Sequence, residues 1–427
     1  MAYQPKFAQK KAPQTPASAP RNPAPAPGKR PGKLKLALFV FLGILIIPAS
    51  CYATFHLMTG IFENVGRPRP AVQSEVADMS IMERFDSFFA DEITKTRNIL
   101  LAIDTPDMPS DTPEETQKIE PVRKRYWIEE GTLVAPEPNQ DCFGETTDPA
   151  SLQWLLDEAE WILEGQPTYF RPDVEIFPGS SVKYYLDDSI FAITWKEVHD
   201  GSVYTFSEVK VGHPSQFRRH LAGGEYGSDY QYKTTEMAES VNAVVASAGD
   251  FYRFRDFGAV VYQGEAKRVE GTYAETCYID INGDMHFTYA GEVLTTKAVQ
   301  EFVDEHNIQF SLAFGPILVD DYEIIEHTWY GVGEITEGYA RAALCQMGQL
   351  HYIVATANTE GPHQEIPTVA MFQKNIAATG CRHAYSLDGG QTASIVMNDQ
   401  LINRPVYGEQ RKISDIIYFA TAVPEGG

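Results

Sequence analysis

Apolar and polar positions divide the 427-residue chain into one long apolar run, a helical stretch and an extended series of strands. From Leu36 to Ile61, "LALFVFLGILIIPASCYATFHLMTGI", no Asp, Glu, Lys or Arg occurs. The run exceeds the roughly 20 residues a helix needs to cross a bilayer. It predicts one transmembrane helix at 36–61, kinked at Pro48. Between Ser74 and Ile103, Met82, Phe85, Phe88 and Phe89 recur at helical spacing. "DPASLQWLLDEAEWILEG" predicts a helix capped by Asp148 and ended by Gly165. From about Pro172 the texture changes to short β-type runs: "SVKYYLDD", "SIFAITWKEV", "SVYTFSEVKV", "GAVVYQG", "TCYIDINGDMHFTYAGE", "FSLAFGPILV", "HYIVATAN" and "DIIYFATAV". "PSQFRRHLA", "KTTEMAESVNAVVASA", "TTKAVQEFVDEHN" and "PTVAMFQKNIAATG" read as helices between them. The expected fold is α+β, with a mixed, largely antiparallel β-sheet core and packed helices. One N-terminal transmembrane helix and a helical, linker-rich region precede it.

Composition sharpens this organisation. Residues 1–35 hold eight Lys/Arg, no acid and much Pro and Ala, a tail that cannot bury a core. The division expected is therefore a tail at 1–35, a membrane span at 36–61, a linker and helical region at 62–171, and a folded domain at 172–427. A cleaved signal peptide is the competing reading of the apolar run, with small residues in "PASCYA"; the run continues beyond that point and favours an uncleaved anchor. With the cations before the helix, the N-terminus is expected in the cytoplasm and the C-terminal bulk outside it. That bulk carries the remaining 27 Lys/Arg against 58 Asp/Glu, a formal −31. Such acidity argues against nucleic acid as a partner, but not against an anion held by a few local arginines. Cys142, Cys277, Cys345 and Cys381 show no CxxC pair and no zinc spacing, and one or two disulfides are compatible with them.

Several motifs have plain readings. "DINGDMHF" places Met285 where a calcium loop needs glycine, so Asn282-Gly283 is expected to be a type I′ hairpin turn. "GVGEITEG" lacks the spacing of a dinucleotide fingerprint, and G-x-S-x-G, Walker A and HExxH patterns are absent. Three segments carry more. "ASAGDFYRFRDFGAVVYQG" alternates Arg and Asp with Phe and Tyr in a chain otherwise acidic. "EGYARAALCQMGQLHYIVATAN" brings Arg341 into a small-residue strand. "SLDGGQTASIVMNDQLINRP" sets Asp388 and two glycines at a strand end, and "GEQRKISDIIYFATA" follows with Arg411 and Asp415. Taken alone, Asp388-Gly389-Gly390 reads as a tight Asx turn.

In that order, these segments together with "FSLAFGPILVDD" resemble the phosphodiester glycosidase family over about Ser189 to Ala422. The resemblance implies hydrolysis of a sugar 1-phosphodiester by a protein of the bacterial exported type, on cell-envelope or exopolysaccharide glycans. The chain departs from the family pattern at Ala248 for Asn, Ala342 for Thr, Gln391 for Gly and Ala393 for Ser/Thr. Those departures keep a second reading open, an inactive member that binds glycan or serves polysaccharide assembly.

Cleavage at the anomeric carbon passes through an oxocarbenium-like state that carboxylates stabilise. The leaving phosphate calls for fixed cations, a role that suits arginine. The resemblance then implies Asp388 and Asp250 as the principal carboxylates, with Arg341 and Arg255 gripping the phosphate. Gly389 and Gly390 would let backbone N–H groups approach an anionic oxygen, and Gly249 would also contact substrate. Phe251 and Tyr252 would form a sugar platform, Gln391 and Thr392 would line the site, and Asp256 and Arg411 would hold the others in place. No cofactor and no metal ligand set is expected, although a divalent metal is not excluded.

Overall fold

The structure, a computed structural model, describes residue 128 and residues 132–271, 274–292, 295–331 and 334–424. The expected tail, membrane span and juxtamembrane helix lie outside these residues. Among the described residues no helix is long and apolar enough to cross a membrane.

Three sheets form the frame. The nine-stranded one runs, in spatial order, Phe143–Thr146 (β1), Val182–Leu186 (β2), Ile190–His199 (β3), Ser202–Val211 (β4), His351–Asn358 (β15), Arg341–Gly348 (β14), His383–Leu387 (β16), Ile317–Asp320 (β12) and Glu323–Ile324 (β13). A five-stranded sheet has the order Met285–Thr288 (β10), Thr276–Asp280 (β9), Ile308–Leu312 (β11), Gly258–Tyr262 (β7) and Glu265–Glu270 (β8). The other five-stranded sheet has Gln400–Leu401 (β18), Ile395–Met397 (β17), Ala243–Ala248 (β6), Asp415–Ala420 (β19) and Phe217–Leu221 (β5). Every strand pairing among the described residues is antiparallel. Helices Pro149–Ala159 (α1), Thr234–Ser240 (α2), Thr296–His306 (α3) and Val369–Ala377 (α4) accompany the sheets.

Local chemistry explains most elements. Asp148 caps α1 by accepting from Ser151 N at 2.9 Å, and Gly165 adopts the left-handed conformation after it. In β3, β4, β14 and β15 almost every side chain is buried, because sheet strands central to a large sheet are covered on both faces. One core holds Trp195, Tyr204, Phe206, Tyr352, Tyr385 and Phe419 together with Leu152 and Leu155 of α1.

Four expectations are corrected. The folded body does not begin at 172: β1 pairs with β2 in register Phe143↔Tyr185, and α1 lies in the main core. "PSQFRRHLA" is not helical; one turn at Pro214–Gln216 gives way to strand β5, where Phe217, Arg219 and Leu221 point inward and Arg218 and His220 do not. That alternation has the strand period of two. The helix expected through "KTTEMAESVNAVVASA" stops at Ser240, and Asn242, left-handed, turns the chain into β6. The β9–β10 turn is a three-residue loop rather than type I′, with Gly283 left-handed and Asp280 Oδ1 accepting from Asn282 N and Asp284 N. The four described cysteines are free thiols.

Candidate active site

The three sheets meet where β6, β16 and β19 end or begin. β6 delivers Gly249 and Asp250, β16 delivers Asp388, and β19 opens with Asp415. The first two turns are laced together, since Asp388 N donates to the Gly249 carbonyl at 3.2 Å.

Asp250 is held from several sides. Its Oδ1 accepts from Phe251 N at 2.6 Å and its Oδ2 from Ala313 N at 2.8 Å, just beyond β11. Its own N–H donates to Asp415 Oδ2 at 3.0 Å. Arg219 rises from β5 between them. Its Nε meets Asp415 Oδ2 at 2.8 Å, its Nη2 lies 3.7 Å from Asp250 Oδ2, and its Nη1 donates to the Ser311 carbonyl in β11. Gly249 has no room for a side chain, because a Cβ would stand 2.4 Å from Asp415 Oδ2. Burial pushes Asp415 up to about 7, against the pull of the Arg219 charge and with the nearby Asp250 adding to the rise.

Asp388 has lighter support. Arg411 Nη2 sits 3.2 Å from its Oδ2, and that arginine is itself exposed. Thr392 Oγ1 donates to the Gly389 carbonyl at 2.7 Å and lies close enough to the Asp388 carboxyl to favour its ionised form. Burial pushes Asp388 up to about 6; Arg411, Thr392 and Arg255 oppose the shift, and Asp250 reinforces it.

Arg255 completes the cluster. It follows the turn Tyr252–Phe254, and its guanidinium lies over the rings of Phe314 (4.7 Å), Phe251 (5.0 Å) and Phe257 (5.5 Å). Tyr330 steadies Phe314 by donating its hydroxyl to the Phe314 carbonyl at 2.9 Å. Burial lowers the pKa of Arg255, while Asp388 and Asp250 raise it, so the cation stands within the field of both carboxylates. Its Nη1 is buried and has no hydrogen-bond partner among the described residues. A buried donor left unpaired is costly and calls for an explanation. Arg411 lies over the same Phe251 ring at 5.1 Å, so two guanidinium groups share one aromatic ring beside Asp388.

Not every expected residue joins this cluster. Arg341 is corrected: its Nη2 donates to the Glu337 carbonyl at 2.7 Å, its Nη1 to that of Glu334 at 3.2 Å and its Nε to that of Pro367 at 3.4 Å. Those three carbonyls and the Tyr339 ring capture it, and the carboxylate acting on it is Glu334. Tyr252 is buried between Arg219 (5.3 Å) and the Tyr226 ring (5.6 Å), and packs with Leu221 and Val260, so it offers no face to a sugar. Phe251 is half-buried, carries the two guanidinium groups and stacks on Phe254 at 4.6 Å; its ring serves arginines. Gly390 is left-handed, but its N–H is given to the Ala340 carbonyl at 2.7 Å rather than offered to an anion. Gly389 is required for that close approach, since its Cβ would lie 2.6 Å from the same carbonyl. Gln391 is half-buried within the turn Gly390–Thr392, and Asp256 is exposed without an ion pair among the described residues.

Arg219, Phe257, Phe314 and Tyr330 were not singled out from the sequence, and Asp415 was noted without a role. "FRRHL" did contain a signal: in a strand, one of two adjacent arginines must face inward. A cleft of about 570 Å³ runs along β5, lined by Arg218, Arg219, His220, Tyr262 and Tyr418; it shares Arg219 with the cluster but neither Asp250 nor Asp388. In the cluster, by contrast, unlike charges converge in a buried setting, as at many functional sites. No group of three or more His, Cys, Asp or Glu among the described residues is arranged to hold a metal ion.

Residues 241–420 match the family model for phosphodiester glycosidases. Over this segment, 180 of the 427 residues, the chain is similar to the phosphodiester glycosidase family. The matched segment contains both carboxylates, Arg255 and Arg411, whereas Arg219 and β5 precede it. No curated protein matches the sequence. Among solved structures, the catalytic domain of zebrafish N-acetylglucosamine-1-phosphodiester alpha-N-acetylglucosaminidase, auto-inhibited by its pro-peptide, is similar at 17% identity and a TM-score of 0.43, covering 54% of this chain and 82% of that one. A hypothetical protein from Synechocystis is similar at 14% identity and a TM-score of 0.40, with 58% and 64% covered. A protein from Burkholderia pseudomallei gives 11% identity and a TM-score of 0.36, with 51% and 74% covered. Of the departures from the family pattern, Ala248, Ala342 and Ala393 are buried, Ala393 closing the turn after Asp388, and Gln391 lies half-buried within that turn.

Proposed function

We propose that this protein is a membrane-anchored, extracytoplasmic hydrolase that cleaves an N-acetylglucosamine-like sugar from a phosphodiester in cell-envelope or exopolysaccharide glycans. One observation carries the reading: Arg255 Nη1 is buried without a partner in an aromatic cage, in the field of two buried carboxylates. A phosphodiester oxygen supplies the acceptor that this donor lacks. In the reaction the anomeric C–O bond breaks and the phosphate leaves as a monoester, keeping the bridging oxygen. A water oxygen bonds to the anomeric carbon and its proton passes to a carboxylate or to solvent. Asp388 and Asp250 stabilise the positive charge that develops on the sugar, and Arg255 with Arg411 balances the departing phosphate. The family match and the apolar run at 36–61 support the activity and the anchor, respectively.

The test is release of N-acetylglucosamine from a simple α-N-acetylglucosamine 1-phosphodiester by the full chain in detergent, beside Asp388→Asn. Release by the natural protein, reduced about 10²- to 10⁴-fold in the variant, is the expected outcome. An undiminished variant removes Asp388 from the chemistry. No release by either, with glycan binding retained, establishes the inactive binding protein instead. Partition of the full chain into the membrane fraction, lost on deleting residues 36–61, tests the anchor.

A further inference from the structure

The loop from Ile402 to Ser414, between β18 and β19, has features that the reaction above does not require. Its turn Val406–Gly408 packs against the turn Gly390–Thr392 that follows Asp388. At its tip Tyr407 is left-handed, with φ 62° and ψ 8°, and 88% exposed. For a bulky side chain this conformation costs about 1–2 kcal/mol, and an exposed ring recovers nothing by packing. The loop is clamped on both sides of the tip. Asn358 Nδ2 donates to the Arg404 carbonyl at 2.8 Å, and Gln410 Nε2 donates to Thr235 Oγ1 at 3.2 Å while its Oε1 accepts from Thr235 N at 3.3 Å. Tyr407 is therefore presented by a fixed frame.

The charge of the loop is also out of character. The chain has a net charge of −23, yet this loop carries Arg404, Arg411 and Lys412 against Glu409 alone. Arg411 is engaged with Asp388, while Arg404 and Lys412 are exposed and form no ion pair among the described residues. A polyanion approaching so acidic a protein is repelled everywhere except along such a strip.

We infer that this loop is a subsite for the part of the substrate beyond the scissile phosphate: a further ring lies on Tyr407, and a further anionic group lies against Arg404 and Lys412. The substrate is then a chain of repeating sugar phosphates rather than a single sugar phosphodiester. This rests on the glycosidase reading and specifies its substrate class.

The test compares an N-acetylglucosamine 1-(methyl phosphate) diester with a synthetic chain of three sugar-phosphate repeats, using the full chain in detergent. The natural protein should favour the three-repeat chain in kcat/KM. Tyr407→Ala should lower kcat/KM for that chain about tenfold, roughly the worth of one aromatic contact, and leave the methyl diester unchanged. Tyr407→Phe should retain the preference. The double variant Arg404→Ser with Lys412→Ser should lose it too, and the difference from the natural protein should shrink at high salt. Equal kcat/KM for both substrates in the natural protein, or an equal loss on both in Tyr407→Ala, overturns the subsite. If neither substrate is cleaved, the glycosidase reading fails and calorimetric binding decides the subsite. Tighter binding of the three-repeat chain than of the methyl diester, weakened by Tyr407→Ala, upholds it; indistinguishable binding rejects it.

Discussion

Asp250 and Asp388 are the same residue type at the ends of two strands, yet the protein holds them differently. Asp250 accepts from two backbone N–H groups and faces Arg219, a fully buried cation that also grips Asp415. Asp388 depends on Thr392 and on Arg411, whose side chain is 44% exposed. The first arrangement is part of the junction between sheets, because Arg219 and Asp250 both reach past their own sheet to β11 and the residue after it. The second rests on a partly exposed arginine and is more open to its surroundings. One carboxylate is therefore tied to stability and the other to its surroundings. Arg255 extends the contrast: unlike Arg219 it forms no ion pair among the described residues, and its half-buried guanidinium lies among three aromatic rings instead.

The largest test of this contrast is Arg219→Met. It leaves Asp415 and Asp250 buried without their cation, and a loss of about 3–5 kcal/mol in denaturant unfolding is expected. Unchanged stability would mean that the Asp250 side is no more structural than the Asp388 side. Arg255→Met should separate function from stability. Release of sugar should fall about 10²- to 10³-fold, as when a preorganised donor to a developing anion is removed. The unfolding midpoint should stay or rise, since a buried unpaired donor is removed; a clear drop would show that Arg255 holds the fold as Arg219 does. The smallest expected effect is Arg411→Ala, with stability within about 1 kcal/mol of the natural protein. Its readout is the pH profile. Asp388, raised to about 6 by burial, is held down by Arg411. Removing the cation disfavours the ionised form, so the limb near pH 6 should move to higher pH. A limb that stays in place would uncouple Asp388 from Arg411 or from the rate.

Strand periodicity was readable where strands are buried and regular, as in β3, β4, β14 and β15, because β-branched and aromatic runs bounded by turns have few alternatives. It failed at β5 and β6. "QFRRHL" contains residues that helices tolerate well, and "NAVVASA" continues a helical stretch without an obvious stop. Pairing with β19 on both sides decided these two strands, and such pairing is a long-range contact. The site was readable as a set of motifs, but side-chain direction was not. Arg341 entered the list because a cation in an apolar strand suggests a ligand; three backbone carbonyls, two from the loop just before it and one from Pro367, capture it instead. Tyr252 looked like a platform and is a wall beneath Arg219.

The amino-acid order by itself determined the alternating sheet-forming segments, the acidic character of the folded part, and the Asp250 and Asp388 turns, whose glycines admit close backbone approach. These are local properties of side-chain size, charge and backbone freedom. Only the tertiary structure decided which charges meet. Burial and distance govern electrostatic strength, and both arise when three sheets bring together residues as far apart in sequence as Arg219 and Asp415. The same packing that set Arg219 against two carboxylates and Arg341 against three carbonyls left Arg255 among aromatic rings, and no property of Arg255 in the sequence distinguishes it from them.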